Sequence, residues 1–348
     1  MKIKKLIILI VIVLLLIGGG IAFMVVSLKP VSKNTSEVTF EVAPNTSKID
    51  IVKNLKSAGL IKNEFAALVY VFFNSNLNLQ AGSYKINKAN STQEIIGQIA
   101  DGRIIDIIPT VEVTFVEGKR LVDYANLISN NFGIEYNEFI EKCADKEFLQ
   151  ELINNYWFID ESILNEDIYY PLEGYLAPDT YEFYQNSSPE QIIVKMLNNL
   201  DKKLAPLKSD IEKSGKSAHE ILTIASIAEK EAINEPDRKK VSQVIYKRLE
   251  LVMALGMDIT SYYGVNKDMK EVITYADLIA ENPYNTRNSD FKGLPVGSIC
   301  NPSLESIKAA IYPSDTEYVY FIADIDTGKV FFFNTYDEFK NKKTDLGL

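Results

Sequence analysis

A run of 23 uncharged residues, Leu6 to Leu28, constrains this chain before any other feature does. As a helix it would rise roughly 1.5 Å per residue, about 34 Å in all, which spans the hydrocarbon core of a bilayer. Lys2, Lys4 and Lys5 precede it and favour an N-terminus kept on the cytoplasmic side. A cleaved signal peptide is the competing reading. It fits less well, because the run exceeds an ordinary h-region and no clean A-x-A site follows. The expected order is a cytoplasmic tail over 1–5, a transmembrane anchor over 6–28 and a polar linker over 29–37. The remaining body would then lie outside the cytoplasm, at the cell membrane.

That body is long enough for about two domains. Of the 348 residues 47% are apolar and 24% charged, the balance of a folded protein. Asp and Glu number 47 against 37 Lys and Arg, a net charge of -10 that argues against a nucleic-acid partner. His219 is the one histidine, and Cys143 and Cys300 are the two cysteines. An HExxH zinc site needs two histidines, and cysteine-rich zinc sites need more thiols. The chemistry expected here uses carboxylates, hydroxyls and amides, with no metal and no cofactor. The two cysteines read equally as a pair or as separate buried thiols, and His219 reads as a solvated first-turn residue. Ser214-Gly215-Lys216-Ser217 looks like the end of a phosphate-binding loop. However, Asp210 stands where that loop needs its first glycine, so Ser217 reads as a helix N-cap.

The pattern from Val38 predicts a strand, a helix capped by Ser47 and stopped by Gly59, and a second helix over Glu64 to Phe73. A strand around Gly82 to Ile86 and a capping box at Ser91 to Glu94 complete a small unit over 38–108. Near Pro109 the pattern restarts, which marks a boundary. Helices are expected over 121–130, 136–155 and 189–204, with a turn-rich stretch from Pro171 to Tyr181. A strand pair, Tyr318 to Ala323 and Val330 to Phe333, closes on the turn Asp326-Thr327-Gly328. The fold class is α+β, with 109–348 as one mixed domain.

Ser217 to Ile233 is the most informative segment. Ile221, Ile224, Ala225, Ala228 and Ala232 form an apolar stripe at helical spacing. Glu229 and Glu231 flank that stripe on opposite sides, each roughly 80° from its centre. An acid at such a margin can be partly desolvated and so become a proton donor at neutral pH. Ala225 and Ser226 are small and leave room above the Glu229 carboxylate. Charged helix margins are ordinarily solvated, however, and geometry does not choose between the two glutamates. Downstream, Met257 to Gly264, Pro283 to Arg287 and Gly293 to Pro302 read as loops rich in amides and rings, which suit sugars.

Five blocks in one order carry a resemblance. They are LEGYLAPDTY at Leu172 to Tyr181, ASIAEKE at Ala225 to Glu231, YNT at Tyr284 to Thr286, GLPVGSICNPS at Gly293 to Ser303, and YVYFIAD at Tyr318 to Asp324. Together the chain resembles the endolytic murein transglycosylase, or YceG-like, family. The resemblance implies a single membrane anchor, a LysM-like module over 38–108 and a catalytic domain over 109–348. It implies a lytic transglycosylase that cleaves the MurNAc-GlcNAc β-1,4 bond of nascent peptidoglycan strands to leave 1,6-anhydroMurNAc ends. Peptidoglycan synthases or division and elongation proteins are the implied further partners.

The same resemblance assigns the catalytic role to Glu229. It implies supporting or substrate-binding roles for Glu173, Tyr181, Ser226, Asp258, Tyr284, Asn285 and Asn301. Glu173 would orient the site or bond the substrate, or else cap a turn. The chain departs from the family at Leu255-Gly256-Met257-Asp258-Ile259-Thr260, where L-Q-x-D-P-T is usual. It also has Val296-Gly297 for a common proline-glycine turn, and no histidine near Val330. The alternative function is a non-catalytic peptidoglycan-binding or division-scaffold protein that keeps the fold.

Overall fold

The computed structural model describes residues 18–20, 22–33, 35–74, 76–102, 109–288, 290–324 and 327–347. Most of the run Leu6 to Leu28, the tail over 1–5 and two residues before Thr327 lie outside this set. Residues 18–20 and 22–27 are helical. Among the described residues no helix is long and apolar enough to cross a membrane.

The chain divides into two compact units, residues 1–112 with 182–186, and residues 113–181 with 187–348. The first unit begins with β1 (Glu37–Val42), α1 (Lys48–Ser57), α2 (Glu64–Phe73), β2 (Gly82–Asn87) and α3 (Thr92–Ala100). β1 and β2 pair antiparallel, with Glu37 opposite Asn87 and Val42 opposite Gly82. Local chemistry sets the helix limits. The Ser47 side chain accepts from the Asp50 N–H, and Ser91 and Glu94 close a reciprocal capping box. Gly59 and Gly102 follow helices at φ of +65° and +64°, where a side chain would be strained. Ile51, Val52 and Leu55 of α1 pack with Tyr84, Ile86, Ile95 and Ile99 in one core.

The chain then runs through β3 (Thr110–Phe115), α4 (Leu121–Phe132), α5 (Tyr136–Ala144), α6 (Lys146–Asn155) and β4 (Asp179–Tyr184). β3 and β4 form a two-stranded sheet. The helical stretch expected over 136–155 is broken at Asp145, which ends α5 and caps α6 by accepting from Phe148 N–H at 2.7 Å. Next come α7 (Pro189–Leu204), α8 (Lys208–Lys213), α9 (Ala218–Glu231), α10 (Glu235–Glu250), α11 (Asp258–Gly264) and α12 (Tyr275–Leu278). α13 (Leu304–Ile311), the antiparallel pair β5 (Tyr320–Ala323) and β6 (Val330–Phe333), and α14 (Tyr336–Asp345) complete the second unit.

Two expectations change here. Met257 to Gly264 is mostly helix rather than loop. α9 is buried on every side from Ile221 to Ala228, not along one stripe. It packs against α10 and α13. Its polar residues are satisfied inside the helix: Thr223 Oγ1 donates to His219 O, and Ser226 Oγ donates to Thr223 O, both at 2.8 Å. The last turn, Glu229-Lys230-Glu231, is half-buried.

Candidate active site

The two glutamates on that last turn occupy opposite environments. Glu229 Oε2 accepts from Ser303 N–H at 3.0 Å, Ser303 Oγ at 2.5 Å and Ser306 Oγ at 2.6 Å. Its Oε1 accepts from Arg238 Nη2 at 3.0 Å. Arg238 also donates through Nη1 to Ser303 Oγ at 3.2 Å and through Nε to Ala232 O at 3.0 Å. This carboxylate is only 7% exposed and clamps α9 and α10 to the start of α13.

Glu231 lies on the other side of the helix. Among the described residues no donor bonds its carboxylate, and the residue is half-buried. Desolvation, reinforced by the negative charge of Asp258 and opposed by Arg248, pushes its pKa up to about 7. Arg248 keeps its own donors elsewhere, with Nε to Val319 O at 2.7 Å and Nη1 to Leu255 O at 2.5 Å. Asp258 is exposed at the start of α11 and pairs with Arg287. An unpaired, half-buried carboxyl near neutrality on a rigid helix end can give and take a proton.

Most of the other residues singled out from the sequence are buried and hydrogen-bonded within the chain. Glu173 is 2% exposed and caps α4, accepting from Leu121 N–H at 2.8 Å, from Asn301 Nδ2 at 3.2 Å and from Tyr263 Oη at 3.3 Å. Burial raises its pKa to about 8, against the lowering effect of Arg120. Asn301 Oδ1 accepts from the N–H groups of Gly174 and Leu176 at 3.0 and 3.1 Å. Gly174 has φ of +89°, and a Cβ there would fall 2.3 Å from Ser298 Oγ, so no larger residue fits the turn.

Ser226 does not leave room for a ligand. Its Oγ accepts from Ile299 N–H at 3.0 Å, and the residue is fully buried. Tyr181 is buried and donates to Ala177 O at 2.6 Å. Tyr284 is enclosed between the rings of Tyr169 and Tyr263, with centroids 4.7 and 4.6 Å away. Asn285 spends its amide on Leu278 O and Ala280 O, at 3.0 and 2.7 Å. His219 is buried rather than solvated, bonded through Nδ1 to Tyr175 Oη at 2.9 Å and through Nε2 to Val296 O at 2.8 Å. Cys143 and Cys300 are separate buried thiols. Of the predicted supporting residues, only Asp258 is brought to the open side of α9, next to Glu231.

Pattern reading did not single out Arg238 and Ser303, which bond Glu229, or Arg248, whose charge acts on Glu231. Arg238 and Arg248 lie near opposite ends of α10, and Ser303 looks like an ordinary cap for α13.

A model of the YceG-like family matches residues 40–345. The chain is 34% identical over 319 residues to an endolytic murein transglycosylase of Bacillus subtilis, covering 91% of this chain and 87% of that protein. It is 30% identical over 334 residues to an endolytic murein transglycosylase of Streptococcus pneumoniae serotype 2, covering 92% of this chain. The match spans only 60% of that streptococcal protein's length. A crystal structure of a YceG-like protein from Listeria monocytogenes superposes with a TM-score of 0.63 at 34% identity, covering 89% of this chain and 100% of that one. Sequence blocks, fold and matched length agree: the chain belongs to the YceG-like family.

Proposed function

We propose that this chain is a membrane-anchored lytic transglycosylase of peptidoglycan, and that Glu231 is its acid/base. The relatives that share most of its length bear the name of that activity. In this reaction the C6 hydroxyl of MurNAc attacks its own C1, so water takes no part. Hydrolysis would need two carboxyl groups at the scissile bond. An intramolecular attack needs one group, which protonates the leaving oxygen and then accepts the C6 hydroxyl proton. A carboxyl with a pKa of about 7 populates both forms at neutral pH.

The observation that carries this assignment is the contrast between the two glutamates of one helix turn. Glu229 is held by three hydroxyl or amide donors and a guanidinium, while Glu231 has no donor among the described residues. In this reading Glu231, rather than the Glu229 that the resemblance implies, carries the proton, and Glu229 is the clamp. Leu6 to Leu28 is the anchor in this reading, and the first unit is a LysM-like glycan-binding module. Anchoring holds the site near the membrane, where synthases extrude new strands.

Mass spectrometry of glycan strands digested with the full chain tests the proposal. Anhydro ends should form with the wild type and not with Glu231→Gln. Reducing ends alone, or undiminished anhydro ends from folded Glu231→Gln, would overturn it.

A further inference from the structure

Beside the α9 terminus lies a second feature that the reaction itself does not use. A cleft of about 60 Å³ is lined by Lys119, Arg120, Lys230 and Lys267, with Ile259, Tyr262 and Met269 among its apolar walls. The chain as a whole carries a net charge of -10, so four cations around one cleft are out of keeping with the composition. Lys267 is spent on Asp277 at 2.5 Å. Among the described residues, no carboxylate lies within ion-pair distance of Lys119, Arg120 or Lys230. Lys230 reaches only the Gly118 carbonyl, at 3.3 Å. Arg120 lies over the Tyr263 ring at 4.5 Å and donates to Asn266 Oδ1 at 2.8 Å, but its Nε is buried without an acceptor.

The two acids lining the cleft, Asp123 and Asp268, offset part of this charge, Asp268 through its attraction to Lys119 and Lys230, and Arg120 also favours the charged form of Glu173. Asp123 Oδ2 accepts from the Arg120 N–H at 3.0 Å, and Asp268 Oδ1 accepts from the Lys270 N–H at 2.9 Å. Four cations against two acids in the lining raise the local concentration of anions and favour a charge-assisted contact.

We propose that this cleft is a subsite for a carboxylate of the peptide stem borne by the glycan strand. The inference rests on the transglycosylase reading for its substrate, and it names how that substrate is recognised. The space admits a small anionic group such as a carboxylate, since one water needs only about 10–15 Å³ of it. A pyrophosphate is larger and more highly charged. The apolar walls suit the aliphatic part of a short peptide. Lys230 belongs to the same helix turn as Glu231, so a stem held here registers its own sugar against the acid.

The test compares stem-bearing strands with strands stripped of their peptides, using the full chain. The wild type should cleave stem-bearing strands with the higher kcat/KM. In Lys119→Gln and Lys230→Gln the ratio of the two kcat/KM values should fall about tenfold, the effect of losing one charge-assisted hydrogen bond. An equal loss on both substrates, with the ratio kept, would overturn the subsite.

Binding separates this idea from the catalytic one. Calorimetry on Glu231→Gln should detect the free stem peptide, weakened by the added Lys230→Gln change, whether or not the wild type cleaves glycan. Binding of inorganic pyrophosphate without the peptide would reassign the cleft and overturn the proposal.

Discussion

Ser303 gives both its backbone N–H and its hydroxyl to one oxygen of Glu229, at 3.0 and 2.5 Å. With Ser306 on the same oxygen and Arg238 on the other, the carboxylate closes a knot that ties three helices together. Removing its charge leaves Arg238 buried opposite an amide. Losing one partner of a buried pair costs about 3 kcal/mol. Glu229→Gln should therefore show a clearly lowered denaturation midpoint, while anhydro ends still form at temperatures where it is folded. A melt equal to that of the wild type, combined with complete loss of product, would show that Glu229 acts in the chemistry after all.

Glu231→Gln should have the opposite profile. The amide keeps the shape of the side chain but cannot carry the proton, and general acid–base catalysis contributes about 10²–10⁴-fold. Product formation should fall by that factor, with the melt unchanged or raised, because an uncompensated half-buried carboxyl is being neutralised. Quantified anhydro ends, with thermal melts run alongside, check both halves.

The pH profile follows from the same environment. The leaving oxygen needs Glu231 protonated, so kcat/KM should decline as pH rises through about 7. The negative charge of Asp258 contributes to that raised value. Asp258→Asn should lower the Glu231 pKa and move the alkaline limb to lower pH. Arg248 has the opposite sign, and Arg248→Gln should move the limb upward. An alkaline limb that stays in place in both variants would separate the titrating group from Glu231.

Local structure was legible because its causes are local. Ser47, Ser91 and Ser217 cap the helices expected of them through residues three positions away. The environment of the two glutamates was not legible, because the serine partners of Glu229 lie 74 and 77 residues downstream, at the start of another helix. The same holds for the loops that looked ready for sugars. Asn285 and Asn301 are amide-rich by composition, yet their amides are consumed by backbone carbonyls and N–H groups that only the folded chain brings near. Family resemblance pointed to one helix turn, and long-range hydrogen bonds give its two carboxyls different environments.

Glu173 carries the last prediction, which concerns stability rather than rate. Its pKa rises from an ordinary 4.5 to about 8 on folding, because burial disfavours the charged form. The folded chain therefore holds this proton over a pH range where the unfolded chain has released it. With more protons bound in the native state, stability falls as pH rises. The contribution is fully present below about 4.5 and is lost progressively up to about 8. That is opposite to the usual salt-bridged carboxylate, whose contribution is lost toward acid. The loss should be on the order of a few kcal/mol. Glu173→Gln should flatten the decline, since its amide oxygen can still accept from Leu121 and Asn301 without a proton to lose. Urea denaturation of both proteins at pH 5, 6.5 and 8 measures the slopes. Parallel slopes would mean that Glu173 keeps an ordinary acidity despite its burial.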